Sequence, residues 1–314
     1  RISEFTDFLS IYAMPRLGEL LVATSLLLTA SQEVNGTEDF PGACTISTGG
    51  QHLCALQQAS GSVVCWGAGD FGQLGDNLAT SSSSPVLVEG LGPAIAVTAG
   101  GLHSCGIEIG GQAKCWGKGE DGQLGFGGRS RRFNARPVAR LGAAVDIRAG
   151  GSHTCALEAS GTVRCWGWGE FGQLGNGRKL NSLYPVRVQL DSAIAICSGG
   201  LHSCAVEQTG VVKCWGWGER GQLGNNNETA PPESSPLPLQ VEGIFQDAVD
   251  VVCGYQHSCA MSANQSTYCW GDGINGQLQR HDEIWTKTGR RIMRLNEILE
   301  FYAPIPTAPM KSVW

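Results

Sequence analysis

The chain has 314 residues, a net charge of −6, 16% charged residues and 45 glycines. The charged share lies below the roughly 25% of ordinary soluble domains and glycine is about twice as frequent as usual, which suits short strands joined by tight turns where glycine takes positive φ without a Cβ clash. An acidic balance excludes a general electrostatic pull toward nucleic acid, so no nucleic-acid partner is expected.

In chain order, the first feature is Met14-Pro-Arg-Leu-Gly followed by an apolar run from Leu20 to Leu28 and the small residues Thr29-Ala30-Ser31. One basic residue, a short apolar stretch and small residues resemble a secretory signal with its cleavage site. The run is too short for a bilayer span of about 20 residues, and an amphipathic helix is the competing reading. Residues 1–31 are therefore set apart as an upstream segment plus a signal-like stretch. If Met14 is the start, residues 1–13 lie upstream of it or belong to a longer chain. Asn35-Gly-Thr, Asn227-Glu-Thr and Asn264-Gln-Ser are N-glycosylation triplets in a secretory lumen.

From residue 32 to about 280 one pattern recurs five times: His-x-Cys, a turn, Cys-Trp-Gly, then a Gly-rich segment ending Gly-Gln-Leu. The copies begin at His52, His103, His153, His202 and His257, spaced by 51, 50, 49 and 55 residues. A fixed period of this length denotes a repeat architecture, and stacked units form one array. In the second copy Ala94-Ile-Ala-Val-Thr alternates as a strand, Gly100-Gly101 turns, and His103–Ile109 with Gln112–Gly117 form a hairpin. Pro137-Val-Ala-Arg-Leu follows as a fourth strand, equated with Pro85-Val-Leu-Val and Pro185-Val-Arg-Val. Four short strands in about 50 residues make a propeller blade. The expected fold is all-β: a propeller of four-stranded blades, five of them visible, in an incomplete or open ring with a C-terminal helix.

Ten of the 13 cysteines fall into pairs: Cys54 with Cys65, Cys105 with Cys115, Cys155 with Cys165, Cys204 with Cys214 and Cys259 with Cys269. Each pair brackets a turn, so its members face each other across two antiparallel strands, roughly 4.5–5.5 Å apart at Cα, close to what a disulfide needs. Five cross-strand disulfides are expected; buried free thiols packing as small hydrophobes are the alternative. Disulfides imply an oxidising compartment, and each short loop adds at most about 2–3 kcal/mol. Cys44, Cys197 and Cys253 fall outside the pattern, and the odd total leaves a thiol free or paired with another chain.

Trp66, Trp116, Trp166, Trp215 and Trp270 follow the second cysteine of each pair, so they point to the opposite side of the strand and are expected between consecutive blades. Trp168 and Trp217 have no equivalents in the other copies, and packing competes there with an aromatic binding role. The five Gly-x-Gly-x-x-Gly matches, such as Gly67-Ala-Gly-Asp-Phe-Gly, lead into polar loop instead of a helix, so they read as structural turns and no nucleotide cofactor is expected. Cys-x₂₋₄-Cys knuckles are absent, so no metal is assigned; the histidines are expected to satisfy backbone groups at the inner turn of each blade. No serine or acid stands apart with a catalytic setting, so no catalytic residue, cofactor or small-molecule substrate is named.

Two irregular loops remain. Arg129, Arg131, Arg132, Arg136 and Arg140 cluster in the second unit, either as a solvated loop or as a contact patch for an acidic partner. The longer Pro/Ser-rich insertion from Asn225 to Pro236 lies in the fourth unit, and such insertions often form the binding face of a repeat array. Residues 281–314 depart from the repeat: 282–302 reads as an amphipathic, locally basic helix with Ile284, Ile292, Leu295, Ile298 and Leu299 near helical spacing, then a tail punctuated by Pro304, Pro306 and Pro309.

The linked motifs His-x-Cys-Ala, Cys-Trp-Gly and Gly-Gln-Leu-Gly over about residues 44–280 resemble the regulator of chromosome condensation repeat family, most closely its cysteine-paired, exported or bacterial-type members. The resemblance implies a β-propeller, usually of seven blades. Its members include an exchange factor for the Ran GTPase, a plant ultraviolet-B photoreceptor, ubiquitin-ligase domains and a secreted bacterial β-lactamase inhibitor. The family commonly has Asn where this chain has Gly69, Gly119, Gly169, Gly218 and Gly273, and the photoreceptor's Gly-Trp-Arg-His-Thr motif is absent. Five cores and four Pro-Val-type strands are too few for seven blades, so an incomplete product is preferred over an open arc or a five-blade ring.

The reading that results is a non-enzymatic, disulfide-braced propeller of the secretory lumen or exterior that binds a protein through blade-connecting loops. The named candidates are Arg129, Arg131, Arg132, Arg136, Trp168 and Trp217. The alternatives are an intracellular module of the cytoplasm or nucleus, serving small-GTPase exchange or ubiquitin-ligase targeting, and a glycan-binding propeller.

Overall fold

A computed structural model describes residues 43–225, 234–243, 246–274, 278 and 285–294. Side chains within Ala43, Cys44 and residues 285–294 are outside the description, as are residues 1–42 with the signal-like stretch and Asn35, the segment containing Asn227, and residues 295–314. Among the described residues there are five four-stranded antiparallel sheets and no helix, hence none long and apolar enough to cross a membrane.

Blade one consists of β1 (Ala43–Thr48), β2 (His52–Gln57), β3 (Val63–Gly67) and β4 (Ser82–Leu87). Blade two is β5 (Ala94–Ala99), β6 (His103–Glu108), β7 (Ala113–Gly117) and β8 (Arg132–Pro137). Blade three is β9 (Ala144–Ala149), β10 (His153–Glu158), β11 (Val163–Gly167) and β12 (Ser182–Arg187). Blade four is β13 (Ala193–Ser198), β14 (His202–Glu207), β15 (Val212–Trp217) and β16 (Ser234–Gln240). Blade five is β17 (Ala248–Cys253), β18 (His257–Ser262), β19 (Ser266–Asp272) and β20 (Trp285–Arg294). Each blade is a meander in sequence order.

The last strand corrects the helix expected over 282–302. Trp285–Arg294 is extended and pairs with β19, setting Cys269 opposite Arg290 and Gly271 opposite Thr286. The apolar spacing there is compatible with a helix, but blade five otherwise lacks its outer strand, and pairing satisfies backbone groups along both strands. The outer strand of blade two is also displaced from its expected place. It begins at Arg132, and Pro137 ends it; the residue aligned with Pro85 is Ala135.

All five expected disulfides are formed: Cys54 to Cys65, Cys105 to Cys115, Cys155 to Cys165, Cys204 to Cys214 and Cys259 to Cys269. The members of each pair stand directly opposite one another on the two middle strands of their blade, with Cα atoms 4.1 Å apart, slightly closer than the spacing expected from the sequence. A sixth, Cys197–Cys253, joins the innermost strands of blades four and five, so two of the three cysteines outside the repeat pattern find each other.

The core is divided among the seams between blades. At the first seam Cys54, Leu56, Val63, Cys65 and Leu74 of blade one pack on Ala94, Val97, Ala99 and Trp116 of blade two, and the other three seams repeat this with Trp166, Trp215 and Trp270. These four tryptophans are 0% exposed. Among the described residues no such seam joins blade five to blade one.

Each seam carries one polar circuit. The Trp116 indole N–H and the Ser104 hydroxyl both donate to the carbonyl of Gln73, at 2.9 and 3.0 Å. Because Ser104 spends its hydrogen there, His52 Nε2, 2.7 Å from the same hydroxyl, must be the donor. His103–Thr154–Gln123 and His153–Ser203–Gln173 repeat the arrangement, and His202 Nε2 lies 2.7 Å from Ser258 Oγ. His52, His103, His153 and His202 thus bond a hydroxyl of the next blade and not the inner turn of their own, because a Ser or Thr follows each His in blades two to five. In blade one the position is Leu53. The Nδ1 atoms of His52, His103, His153 and His202 are buried without a hydrogen-bond partner. Burial pulls the pKa of His52 and His153 down to about 4, and that of His103 and His202 to about 3.

Candidate functional site

In a meander the β1–β2 turn and the β3–β4 loop leave the blade at the same end. Backbone bonds tie them together: Ala68 N–H donates to the Gln51 carbonyl, Lys118 to Leu102, Trp168 to Ser152 and Trp217 to Leu201, all at 2.8–2.9 Å. The Gly-rich loops therefore share one face of the blade array with the inner turns. Their second glycine is packed against the loop that follows; a Cβ on Gly69 would sit 2.0 Å from the Thr80 carbonyl oxygen. The Gly-x-Gly-x-x-Gly segments are turns held by such close approaches, with no helix behind them among the described residues.

The arginine cluster lies where loop and outer strand of blade two meet. Arg129 Nη1 donates to the Glu120 carbonyl at 2.7 Å, and Arg131 pairs with the Glu120 carboxylate at 3.0 Å while stacking on Phe71 of blade one, 4.5 Å from its ring centre. The hydrogen bond from Arg131 holds the Glu120 carboxyl below its usual range. Arg132 stacks on Phe126 at 4.3 Å and Arg140 on Tyr184 of blade three at 3.9 Å. Arg136 is exposed. Among the described residues Arg132, Arg136 and Arg140 have no acidic partner.

Strand register shows what these arginines replace. Arg132 opposes Gly117 where Ser82, Ser182 and Ser235 oppose the matching glycines. Those serines cap their own strands by donating to the carbonyls of Ser84, Tyr184 and Leu237. Arg136 opposes Cys115, whereas Val86 opposes Cys65, Val186 opposes Cys165 and Leu239 opposes Cys214 in blades one, three and four. Arg140 occupies the site of Gly90 and Gly243 and keeps their left-handed backbone, with φ of 58° against 78° and 79°. A non-glycine residue there carries strain of order 1 kcal/mol. Arginines thus stand at a serine-cap position and a strand position of β8, the latter also held by Arg290 in blade five, and at the turn after the strand, where blades one and four have glycine and blade three has Leu190. Arg132 and Arg136 are candidates on sequence grounds; Arg140 stands there only as part of the run, because the shifted Pro137 hides its glycine equivalence.

The two extra tryptophans are not brought together. Trp168 is half-buried and packs edge-on against Phe171 of its own loop, 5.5 Å between ring centres. Trp217 ends β15 and makes no ring contact with Trp168. Asn264 is exposed in the β18–β19 turn, its Oδ1 accepting from Ser262 Oγ and the Ser266 N–H.

Five meander blades packed by tryptophan seams define a β-propeller repeat protein. The family model of the RCC1-like domain matches residues 23–303, and the chain belongs to that family. Among solved structures, human WBSCR16 is 21% identical with a TM-score of 0.71, over 80% of this chain and 67% of that one. Yeast RCC1 (Prp20) bound to Kap60 is 20% identical with a TM-score of 0.56, over 80% and 75%. Prp20p from Saccharomyces cerevisiae gives 21% and 0.56, over 80% and 77%. At these identities the likeness speaks to the fold alone. No curated protein sequence matches the chain.

Proposed function

We propose that this chain is a non-enzymatic, exported protein-binding scaffold that engages an acidic protein surface with the outer strand and loop of blade two. The observation that carries the reading is the replacement of a serine cap, a strand valine and a turn glycine by Arg132, Arg136 and Arg140. Arg136 is exposed with no acidic partner among the described residues, and Arg140 keeps a backbone conformation suited to glycine. Stacking on Phe126 and Tyr184 fixes two guanidiniums in place while leaving in-plane N–H groups for carboxylates, which arginine binds in bidentate fashion. Six disulfides support a home in an oxidising compartment.

The test is crosslinking from position 136 in the native secreted fluid, with the captured protein then titrated against the purified chain. Binding should fall at least tenfold in the variant Arg132→Ser/Arg136→Val/Arg140→Gly and weaken with salt; unchanged binding rejects the site. Alkylation with intact-mass measurement tests export separately, and ten or more free thiols in native material would reject it. A second reading is an intracellular regulator. It draws support from the yeast neighbours, one solved with Kap60 and the other described for binding to Gsp1p and histones. It predicts reduced cysteines and accelerated nucleotide release from a small GTPase.

A further inference from the structure

The seam between blades four and five changes the repeat in two places at once. At the first two seams a hydroxyl on the innermost strand accepts a backbone N–H from the next blade: Ala99 N to Ser47 Oγ at 2.9 Å and Ala149 N to Thr98 Oγ1 at 3.0 Å. In blade four the register puts Cys197 where Ser47 and Thr98 stand, and in blade five Cys253 where Ala99 and Ala149 stand. A third sulfur is already present, because Cys204 lies directly opposite Cys197 on the neighbouring strand. The sulfur atoms of Cys197, Cys204 and Cys253 all lie within 4.8 Å of one another. Among the described residues no other trio of His, Cys, Asp or Glu converges in this way.

The polar group beside the trio is also redirected. Ser104, Thr154 and Ser203 donate to a glutamine carbonyl. Ser258, at the same position, points its hydroxyl at Cys253 Sγ, 3.8 Å away, while keeping at 3.6 Å from Cys204 Sγ the contact that Ser104 makes with Cys54 and Ser203 with Cys155. Its lone pair still takes the His202 Nε2 hydrogen. A donor aimed at sulfur is what a thiolate requires in a buried setting.

We propose that, when reduced, Cys197, Cys204 and Cys253 form a binding site for one soft d¹⁰ cation, with Zn²⁺ as its probe. In the oxidised chain the same sulfurs are held as Cys197–Cys253 and Cys204–Cys214. A phosphine with water reduces each bridge by two electrons, giving two thiols and one phosphine oxide. The cation then displaces the three thiol protons into solvent as three metal–sulfur bonds form. Zinc bonded at about 2.3 Å sets tetrahedral thiolates roughly 3.8 Å apart, which the trio reaches by small side-chain adjustments. Cys197 and Cys204 are buried while Cys253 is partly exposed, so the trio meets solvent at Cys253; the Cys214 thiol freed with Cys204 is the nearest further sulfur. Soft thiolates select such ions over Mg²⁺ or Ca²⁺.

The full chain is reduced with a phosphine under anaerobic conditions, mixed with Zn²⁺, desalted and analysed for metal. Co²⁺ in its place reports thiolate ligation by its charge-transfer band. One ion per chain is expected, with at least tenfold weaker binding in Cys197→Ser and Cys253→Ser and no change in Cys105→Ser/Cys115→Ser. Maleimide labelling read by mass spectrometry should show Zn²⁺ protecting Cys197, Cys204 and Cys253 together. No retained zinc, equal binding in the serine variants, or unselective protection overturns the proposal. If the reduced chain loses its circular dichroism, failure of Zn²⁺ to restore it overturns the proposal too.

Discussion

The blade seams and the outer strands obey different rules. From seam to seam the histidine–hydroxyl contact and the indole–glutamine carbonyl bond recur with nearly the same distances. Along the outer strands the register is kept but the side chains are not: Ser82, Arg132, Ser182 and Ser235 share one position, and Val86, Arg136, Val186 and Leu239 another. A position that packs identically several times over is constrained by the array. A position that can change without disturbing its neighbours is where a repeat protein acquires specificity.

The widest gap between the two regions should appear in acid. The four seam histidines have depressed pKa values when folded, so the unfolded chain binds more protons below about pH 6.5, and stability falls as pH drops toward 4. Each histidine contributes up to about 1.4 kcal/mol per pH unit in that window. Urea midpoints from pH 8 to 5 check this; a flat profile would show the seam histidines titrating as they do in the unfolded chain. Trp166→Ala should cost about 3–5 kcal/mol and broaden denaturant unfolding as the array splits at that seam. A loss below about 1 kcal/mol would deny the seams their role.

The disulfides make a finer contrast. Loop length alone gives about 4 kcal/mol for Cys197–Cys253 but about 3 kcal/mol for Cys105–Cys115, so Cys197→Ser/Cys253→Ser should melt below Cys105→Ser/Cys115→Ser. The smallest effect belongs to the outer strand. Arg140→Gly relieves the left-handed backbone but loosens the unfolded chain, so calorimetry should find a change within about 1 kcal/mol, while partner binding drops.

Much of the scaffold is legible because it repeats. Paired cysteines around a turn, Cys155 and Cys165 among them, set the β2–β3 register and its counterpart in every blade, and tryptophans beside them indicate the seams. What escapes is unique or shifted. The fifth outer strand lacks the Pro-Val signature, and its apolar residues also suit a helix. Pro137 lies two residues beyond the true match to Pro85, which conceals the scaffold positions held by Arg136 and Arg140. Cys197 and Cys253 are 56 residues apart, and only inner-strand register sets them side by side. The histidines reach past their own turns because the hydroxyl they bond is offered by the next blade, which a single repeat does not show.

Leu53 gives the array a direction. In every later blade a hydroxyl stands at this position to receive the preceding histidine, and blade one offers an alkyl group instead. The blades are therefore not interchangeable tiles. A circular permutant that placed blade one after blade five would set His257 against a leucine, whereas a chain cut between blades two and three exposes His103 and Thr154, a matched pair able to rejoin. Engineers shuffling these modules should draw interchangeable parts from blades two to four and treat blade one as a distinct part.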